Sequence, residues 1–157
     1  MINSFSGEYD FLSNFYELKN GVTAEHIYQA MKTSDVEEQR LIVNQKTPGG
    51  AKRCGAKATL RENWEEIKFN VMHEIVSSKF NNDPELMKKL VATHPQELIE
   101  GNNWHDNVWG DCSCKKCKDI VGRNKLGQIL ITVRGKDMEL SKAIENITKR
   151  KKSNEHH

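Results

Sequence analysis

The sequence predicts a mainly α-helical fold with a small β component, built as one compact domain. Three observations carry this. Apolar residues recur at helical spacing from Trp64 to Ile75 and from Leu126 to Val133. Capping signals stand ahead of helical stretches at Thr23, at Ser34-Asp35-Val36-Glu37 and at Asp83. Extended patterns are short, confined to the opening and to Glu97–Gly101. No internal repeat or linker-like segment divides the 157 residues, a length that suits one domain with a real core.

The elements follow in order. Phe5 to Tyr16 is aromatic but broken by Gly7, Asp10 and Asn14, so loop and short extended pieces are expected. Asn20-Gly21 is a hairpin turn signal between "YELK" and "VT". Thr23 caps a helix from Ala24 to about Lys32. Ser34-Asp35-Val36-Glu37 matches a capping box, so a second helix starts near Asp35 and ends at Thr47-Pro48-Gly49-Gly50. A short helix is predicted over Lys52–Lys57. The next has the clearest pattern, with Trp64, Ile67, Val71 and Ile75 facing inward. Asp83-Pro84 opens another, with Leu86, Leu90 and Val91 as its apolar side and Pro95 beyond its end. Residues 101–122 read as a long polar loop, a length that is usually functional or disordered. Its tryptophans, aspartates and cysteines argue against simple disorder.

Composition bounds the function. Charged residues make up 29% and aromatics 7%, and the net charge of +2 does not by itself argue for a nucleic-acid partner. Basic residues cluster at Lys46, Lys52, Arg53, Lys57 and Arg61, and again at Lys149-Arg150-Lys151-Lys152, which reads as a solvated tail. No stretch is long and apolar enough to span a membrane and no leader is evident, so a cytoplasmic location is expected. Glu155-His156-His157 reads as the start of a purification tag and carries no functional weight.

Three stretches could carry chemistry. The first is "TAEHIYQAMK", residues 23–32. At ~100° per residue, Glu25, Gln29 and Lys32 fall within about 60° of one another, with Ala24, Ile27, Tyr28 and Met31 assigned to a separate apolar stripe. From pattern alone this is a solvated face. The alternative is a carboxylate and an amine sharing a cleft, where a crowded lysine loses its proton and becomes a nucleophile. The second is "GNNWHDNVWGDCSCKKC", in which Trp104 and Trp109 either plug into the core or stack on a ligand. Within it, Cys112, Cys114 and Cys117 are too crowded for a disulfide framework. They could hold a structural zinc with His105 or Cys54 as fourth ligand, or remain free thiols. The third is the Lys52–Arg61 segment, where Gly49, Gly50 and Gly55 lie near a helix start that could receive phosphate. A solvated basic face is the plainer reading.

Taken together, "FLSNFY" (11–16), "EHIYQAMK" (25–32), "GAKRCGAKATLRENWEEIK" (50–68), "DNVWGD" (106–111) and "GRNKLGQIL" (122–130) resemble the NADAR, or YbiA-like, family. The resemblance runs in order from about residue 5 to residue 134. It implies a compact, mainly helical domain over residues 1–135, followed by a charged C-terminal helix or tail over 136–157. It also implies hydrolysis of an N-glycosidic bond. The substrate would be an ADP-ribosylated base, notably guanine in nucleic acid, or a ribosylamino-pyrimidine of riboflavin synthesis.

The family's polar positions fall on Asn14, Glu25, Lys32, Asp106, Trp109, Gly110, Asp111 and Asn124. Glu25 would stabilise positive charge at C1′ or activate water. Asp106 or Asp111 would assist the leaving base. Lys32 would position substrate or form a Schiff base. Trp109, Trp104 and Phe15 would stack on the base, Arg53 and Lys57 would contact phosphate, and Gln29, Gly110 and Asn124 would complete the binding surface. No metal or other cofactor is required for that reaction, and the C-x-C-x-x-C run departs from the family pattern.

Two rival classes are kept. One is a module that binds ADP-ribose or nucleic acid without turnover. The other is a zinc-stabilised nucleic-acid binder, which explains the cysteines and the basic tail but leaves Glu25 and Lys32 without a role.

Overall fold

The computed structural model describes residues 1–155, and the terminal His156 and His157 lie outside them. Among the described residues there are six α-helices: α1 Ala24–Met31, α2 Val36–Val43, α3 Pro48–Gly55, α4 Trp64–Asn81, α5 Pro84–Ala92 and α6 Lys125–Glu155. Two parallel strands, β1 Gly101–Asn102 and β2 Asp111–Cys112, pair Gly101 with Asp111 and Asn102 with Cys112. Short 3-10 turns occupy Gly7–Leu12 and Lys115–Cys117. The mainly helical, single-domain expectation therefore holds.

Capping chemistry sets most helix starts. Thr23 Oγ1 accepts from the His26 backbone N–H at 3.2 Å, and Asp83 Oδ1 accepts from that of Leu86 at 3.3 Å. The cap of α2 is Asp35 and not the Ser34 of the expected capping box; its Oδ1 accepts from the Glu38 N–H at 3.0 Å. The Thr47-Pro48 pair, read as a helix end, instead opens α3. Thr47 Oγ1 accepts from Gly50 N–H at 3.0 Å and Pro48 takes the first helical position, where its missing N–H costs nothing. The predicted hairpin turn is present, with Glu17 bridged to Thr23 and Gly21 at φ 83°.

The helices pack as two groups joined through α1 and α4. One group stacks α1 on α2 and α3 over a small cluster of Ala30, Ile42 and Ala51. The other wraps α4, α5 and α6 around the main core, where Leu12, Met72, Phe80, Leu90, Leu98, Leu126 and Leu130 are fully or almost fully buried. Burying each such side chain is worth roughly 1.5–3 kcal/mol. The apolar face of α4 runs from Trp64 through Met72 and Val76 to Phe80. Helix α6 buries Leu126, Leu130 and Val133, then continues without a break into an exposed stretch from Glu139 to Ser153. Among the described residues no helix is long and apolar enough to cross a membrane.

The long polar loop is ordered by its own side chains. Asn102 Oδ1 accepts from the N–H groups of Trp104 and Asp106, while its Nδ2 donates to the Asp106 carbonyl at 2.7 Å. Asp106 Oδ1 in turn accepts from Val108 and Trp109 at 3.1 and 2.9 Å. These bonds fold the short return from β1 to β2 and aim Trp109 inward.

Candidate active site

Helix α1 positions the first two polar groups. Glu25 and Gln29 lie one turn apart and are both buried, 8% and 3% exposed. Gln29 Nε2 donates to Glu25 Oε1 at 2.7 Å, which orients the carboxylate. The Glu25 backbone N–H donates to the Asn14 carbonyl at 3.0 Å, bringing the "FLSNFY" segment onto the start of α1. Asn14 is buried beside Met72 and its Oδ1 has no partner. Such an orphan acceptor costs stability unless something bonds to it.

Lys32, at the C-terminal end of α1, is half-buried. Burial holds its amine below the ordinary lysine value, and Lys52 and Lys68 act in the same direction, while Glu25 and Glu65 oppose them. The chain after α3 closes this end of the helix. Arg61 Nε donates to the Met31 carbonyl at 2.7 Å and Arg61 N–H donates to that of Lys32 at 2.8 Å. These bonds satisfy carbonyls that the helix end leaves free.

An aromatic wall stands beside the pair. Tyr28 is buried between Trp64 and Trp109, with ring centroids 5.3 and 5.4 Å away, and Trp109 packs on Phe69 at 5.3 Å. Lys32 Nζ lies 5.9 Å from the Tyr28 ring centroid. Burial, then the Glu25 charge, pushes the Tyr28 phenol well above its usual range. Sequence reasoning assigned Tyr28 to the apolar stripe with Ile27 and Met31. It is buried in the core with Ala24, as that stripe implies, and it also borders the polar side, four residues before Lys32 and three after Glu25.

Glu100 was missed altogether. Read as part of a short strand, it is partly buried, and burial together with Asp106 and Glu25 pushes its carboxyl up to about 7. Its surroundings are tight. A Cβ added to Gly110 would meet the Glu100 carbonyl oxygen at 2.2 Å and its Cγ at 3.1 Å. Lys79 of α4 answers it from the core side. Burial lowers this amine to about 7 against the opposing pull of Asp10 and Glu100, and its Nζ donates to the Ser13 carbonyl at 2.9 Å. Nothing in the sequence singles out Glu100.

The remaining candidates are placed as follows. Asp106 faces Glu100 and Tyr28 electrostatically, with Oδ1 engaged by the loop backbone. Asp111 Oδ1 accepts from Gly122 N–H at 2.9 Å, and Asp111 shares a hollow of about 520 Å³ with exposed Trp104. Phe15 is exposed and lines another hollow with Phe5, Asp10 and Tyr16. Asn124 Oδ1 accepts from Glu100 N–H at 3.0 Å and its Nδ2 donates to the Leu98 carbonyl at 2.9 Å, so its side chain braces the segment carrying Glu100. Gln29 Oε1 turns toward Gly55, where an added Cβ would lie 2.1 Å away. On α3, the charge felt by Lys32 and Glu100 is that of Lys52. Arg53 and Lys57 are exposed. A cavity of about 640 Å³ opens on the opposite face of α1 against α4, lined by Ile27, Met31, Ile67, Val71 and Ile75. Glu25 and Lys32 do not line it.

A small helical domain thus holds a carboxylate and a desolvated amine on one short helix, beside a wall of aromatic rings. Residues 4–136 match the NADAR domain, and the chain belongs to that family. It is 34% identical over 139 residues to N-glycosidase YbiA of Escherichia coli and to that of Shigella boydii, covering 83% of each chain. It is 36% identical over 132 residues to a riboflavin biosynthesis protein of Vibrio vulnificus, covering 79% of this chain and 34% of that one. The NMR structure of the E. coli protein YbiA aligns with a TM-score of 0.73 at 32% identity, over 90% of this chain and 85% of that one.

Proposed function

We propose that this protein is an N-glycosidase that hydrolyses the bond between C1′ of a ribose and a base nitrogen. The substrate is an ADP-ribosylated base or a related phosphoribosylated compound such as a ribosylamino-pyrimidine. The observation that carries the reading is the Glu25–Gln29–Lys32 face of α1, where a buried, amide-held carboxylate shares a helix with an amine whose charge burial disfavours. The names of the relatives point the same way.

The chemistry follows from the groups present. As the C1′–N bond breaks, positive charge builds on the ribose, and the Glu25 carboxylate stabilises it. The base leaves with the bonding pair and takes the proton of Glu100, the carboxyl that still holds one near neutral pH. The Lys32 lone pair attacks C1′. One amine proton moves to O4′ as the ring opens, leaving a C1′=N iminium. Water adds at C1′, its proton returns to Glu100, and the amine departs to give the free sugar. Trp109 offers the face on which the base stacks, and the orphan Asn14 Oδ1 is free to accept from a ribose hydroxyl.

The test is incubation with ADP-ribosylated guanine DNA and with a ribosylamino-pyrimidine phosphate, read by mass spectrometry. Release of base from one of them is expected, with turnover lost on the order of 10²-fold or more in Glu25→Gln and Lys32→Ala. A borohydride-trapped adduct on Lys32 is the mark of the iminium. Measurable binding with no release from either substrate would move the assignment to a module that holds ADP-ribose without turnover.

A further inference from the structure

The geometry points to a structural zinc site formed by His105, Cys112, Cys114 and Cys117. One donor atom from each lies within 4.8 Å of every other. His105 Nδ1 stands 3.2 Å from Cys114 Sγ and 3.5 Å from Cys117 Sγ. A tetrahedral zinc with Zn–S of about 2.3 Å and Zn–N of about 2.0–2.1 Å requires N···S edges of roughly 3.6 Å. His105 Nδ1 therefore already stands near metal-bound spacing from two of the thiols. His105 adopts φ 70°, a conformation non-glycine residues rarely take, with its ring nitrogen against the thiols.

The surroundings fit thiolates. Cys112 Sγ accepts from the His105 N–H at 3.3 Å and the Cys114 N–H at 3.5 Å, and Cys117 Sγ accepts from Asn107 Nδ2 at 3.3 Å. Such N–H···S bonds stabilise sulfur that carries charge and orient it toward a metal. Zinc with three thiolates and a neutral imidazole is anionic by one charge, which Lys115, Lys116 and Lys118 beside it can offset. Four protein donors close the coordination sphere, so the metal is structural and does not take part in catalysis. Cys54, the other candidate ligand, packs on α3 against the Ala30 cluster.

The site ties together the return between β1 and β2 and the turn after it. That return carries Asp106 and Trp109, so the metal staples the wall that faces Tyr28. The metal assignment itself does not depend on the N-glycosidase reading.

The test is metal analysis of the full chain purified without chelator, followed by exchange to cobalt. About one zinc per chain is expected, and the cobalt form is expected to give tetrahedral visible bands with thiolate charge transfer. Thiol modification of the wild type should release the metal in step with loss of three thiols. Cys114→Ser and Cys117→Ser should lose it, whereas Cys54→Ser should keep it. Chelation should lower the thermal midpoint. A metal-free wild type that gives no cobalt spectrum would overturn the assignment. So would zinc retained after all three loop thiols are modified, or a disulfide within the trio in freshly purified reduced protein.

Discussion

Gln29 and Glu25 face each other one turn apart on α1, with the amide nitrogen 2.7 Å from the carboxylate and both side chains buried. The carboxylate is thereby held by a neutral donor, which fixes its direction without cancelling its charge. The other end of the Gln29 amide is wedged against Gly55, so α3 sets the rotamer of the residue that sets Glu25.

Gly55→Ala should therefore act at a distance. The new Cβ would fall 2.1 Å from Gln29 Oε1 and 2.9 Å from Gln29 Cβ, and a packed interior gives little room for either to move. A loss of about 1–3 kcal/mol in stability is expected, the usual cost of overpacking. Turnover should fall with it at temperatures where the variant stays folded. Gln29→Leu removes the donor without the clash. It should lower kcat by roughly 10-fold or more with a smaller change in KM, because the carboxylate is needed most in the transition state. Urea unfolding and steady-state kinetics on the two variants separate the effects.

Lys32 makes a prediction in pH. Burial lowers its value, so the neutral amine becomes populated at a lower pH than in a free lysine. Reductive methylation, followed by NMR of the methyl signals, should show Lys32 titrating below the ordinary lysine value. Glu25 opposes the shift, since its charge favours the ammonium. In Glu25→Gln the midpoint should therefore move lower still. An upward move would mean that the two groups do not sense each other as α1 places them.

The sequence made the helices legible because their starts depend on local chemistry. Thr23, Asp35 and Asp83 cap where their side chains can reach back to the third helical N–H. The apolar repeat of α4 needed no tertiary knowledge either. Thr47-Pro48 was misread as an end because Gly49-Gly50 follows it, yet the same Thr/Asp-Pro signature starts α5. Site membership was harder. On α3 one residue is about 100° of rotation, enough to exchange Lys52 for Arg53 as the charge that reaches the cluster. Glu100 was invisible because its environment is assembled from α1, α4 and the Asp106 loop, which meet only in the fold.

Glu100 and Lys79 together predict an unusual stability profile. The folded Glu100 titrates near 7 and the unfolded one near 4.5, so the folded state binds more protons between these values. Its contribution is complete below about 4.5 and is lost as pH rises to 7. Lys79 falls from 10.5 unfolded to about 7 folded, so the unfolded state binds more protons in that window and stability rises with pH there. Asp10 faces Lys79, and Asp106, Glu25 and Lys52 face Glu100, so each limb is shared with neighbours. Urea midpoints measured from pH 4 to 10 should pass through a shallow minimum near neutrality, with each limb on the order of 2 kcal/mol. Glu100→Gln should flatten the acid limb and Lys79→Met the alkaline one. A monotonic profile in the wild type would count against both assignments.

Helix α6 divides into a part the core needs and a part it does not. Val133 is buried, and Arg134 Nη1 donates to Thr93 Oγ1 at 3.0 Å and to the Gln96 carbonyl at 2.9 Å, tying α6 to the end of α5. From Glu139 to Ser153 the side chains are exposed, including Leu140, Ile144 and Ile147 at 55–63%. What supports this extension is helix-local, such as the Glu145–Lys149 pair at 3.0 Å, and pairs of that kind contribute about 0.3–0.5 kcal/mol. A chain ended after Met138 should therefore unfold within about 0.5 kcal/mol of the full length, since no core contact is removed. A chain ended after Thr132 loses Val133 and leaves the Thr93 and Gln96 acceptors of Arg134 unpaired, at a cost of roughly 3 kcal/mol or more. Denaturant midpoints of the two truncations, read against the full chain, place the end of the cooperative unit between those residues. A large loss in the longer truncation would mean that the exposed half of α6 supports the fold in a way its exposure does not account for.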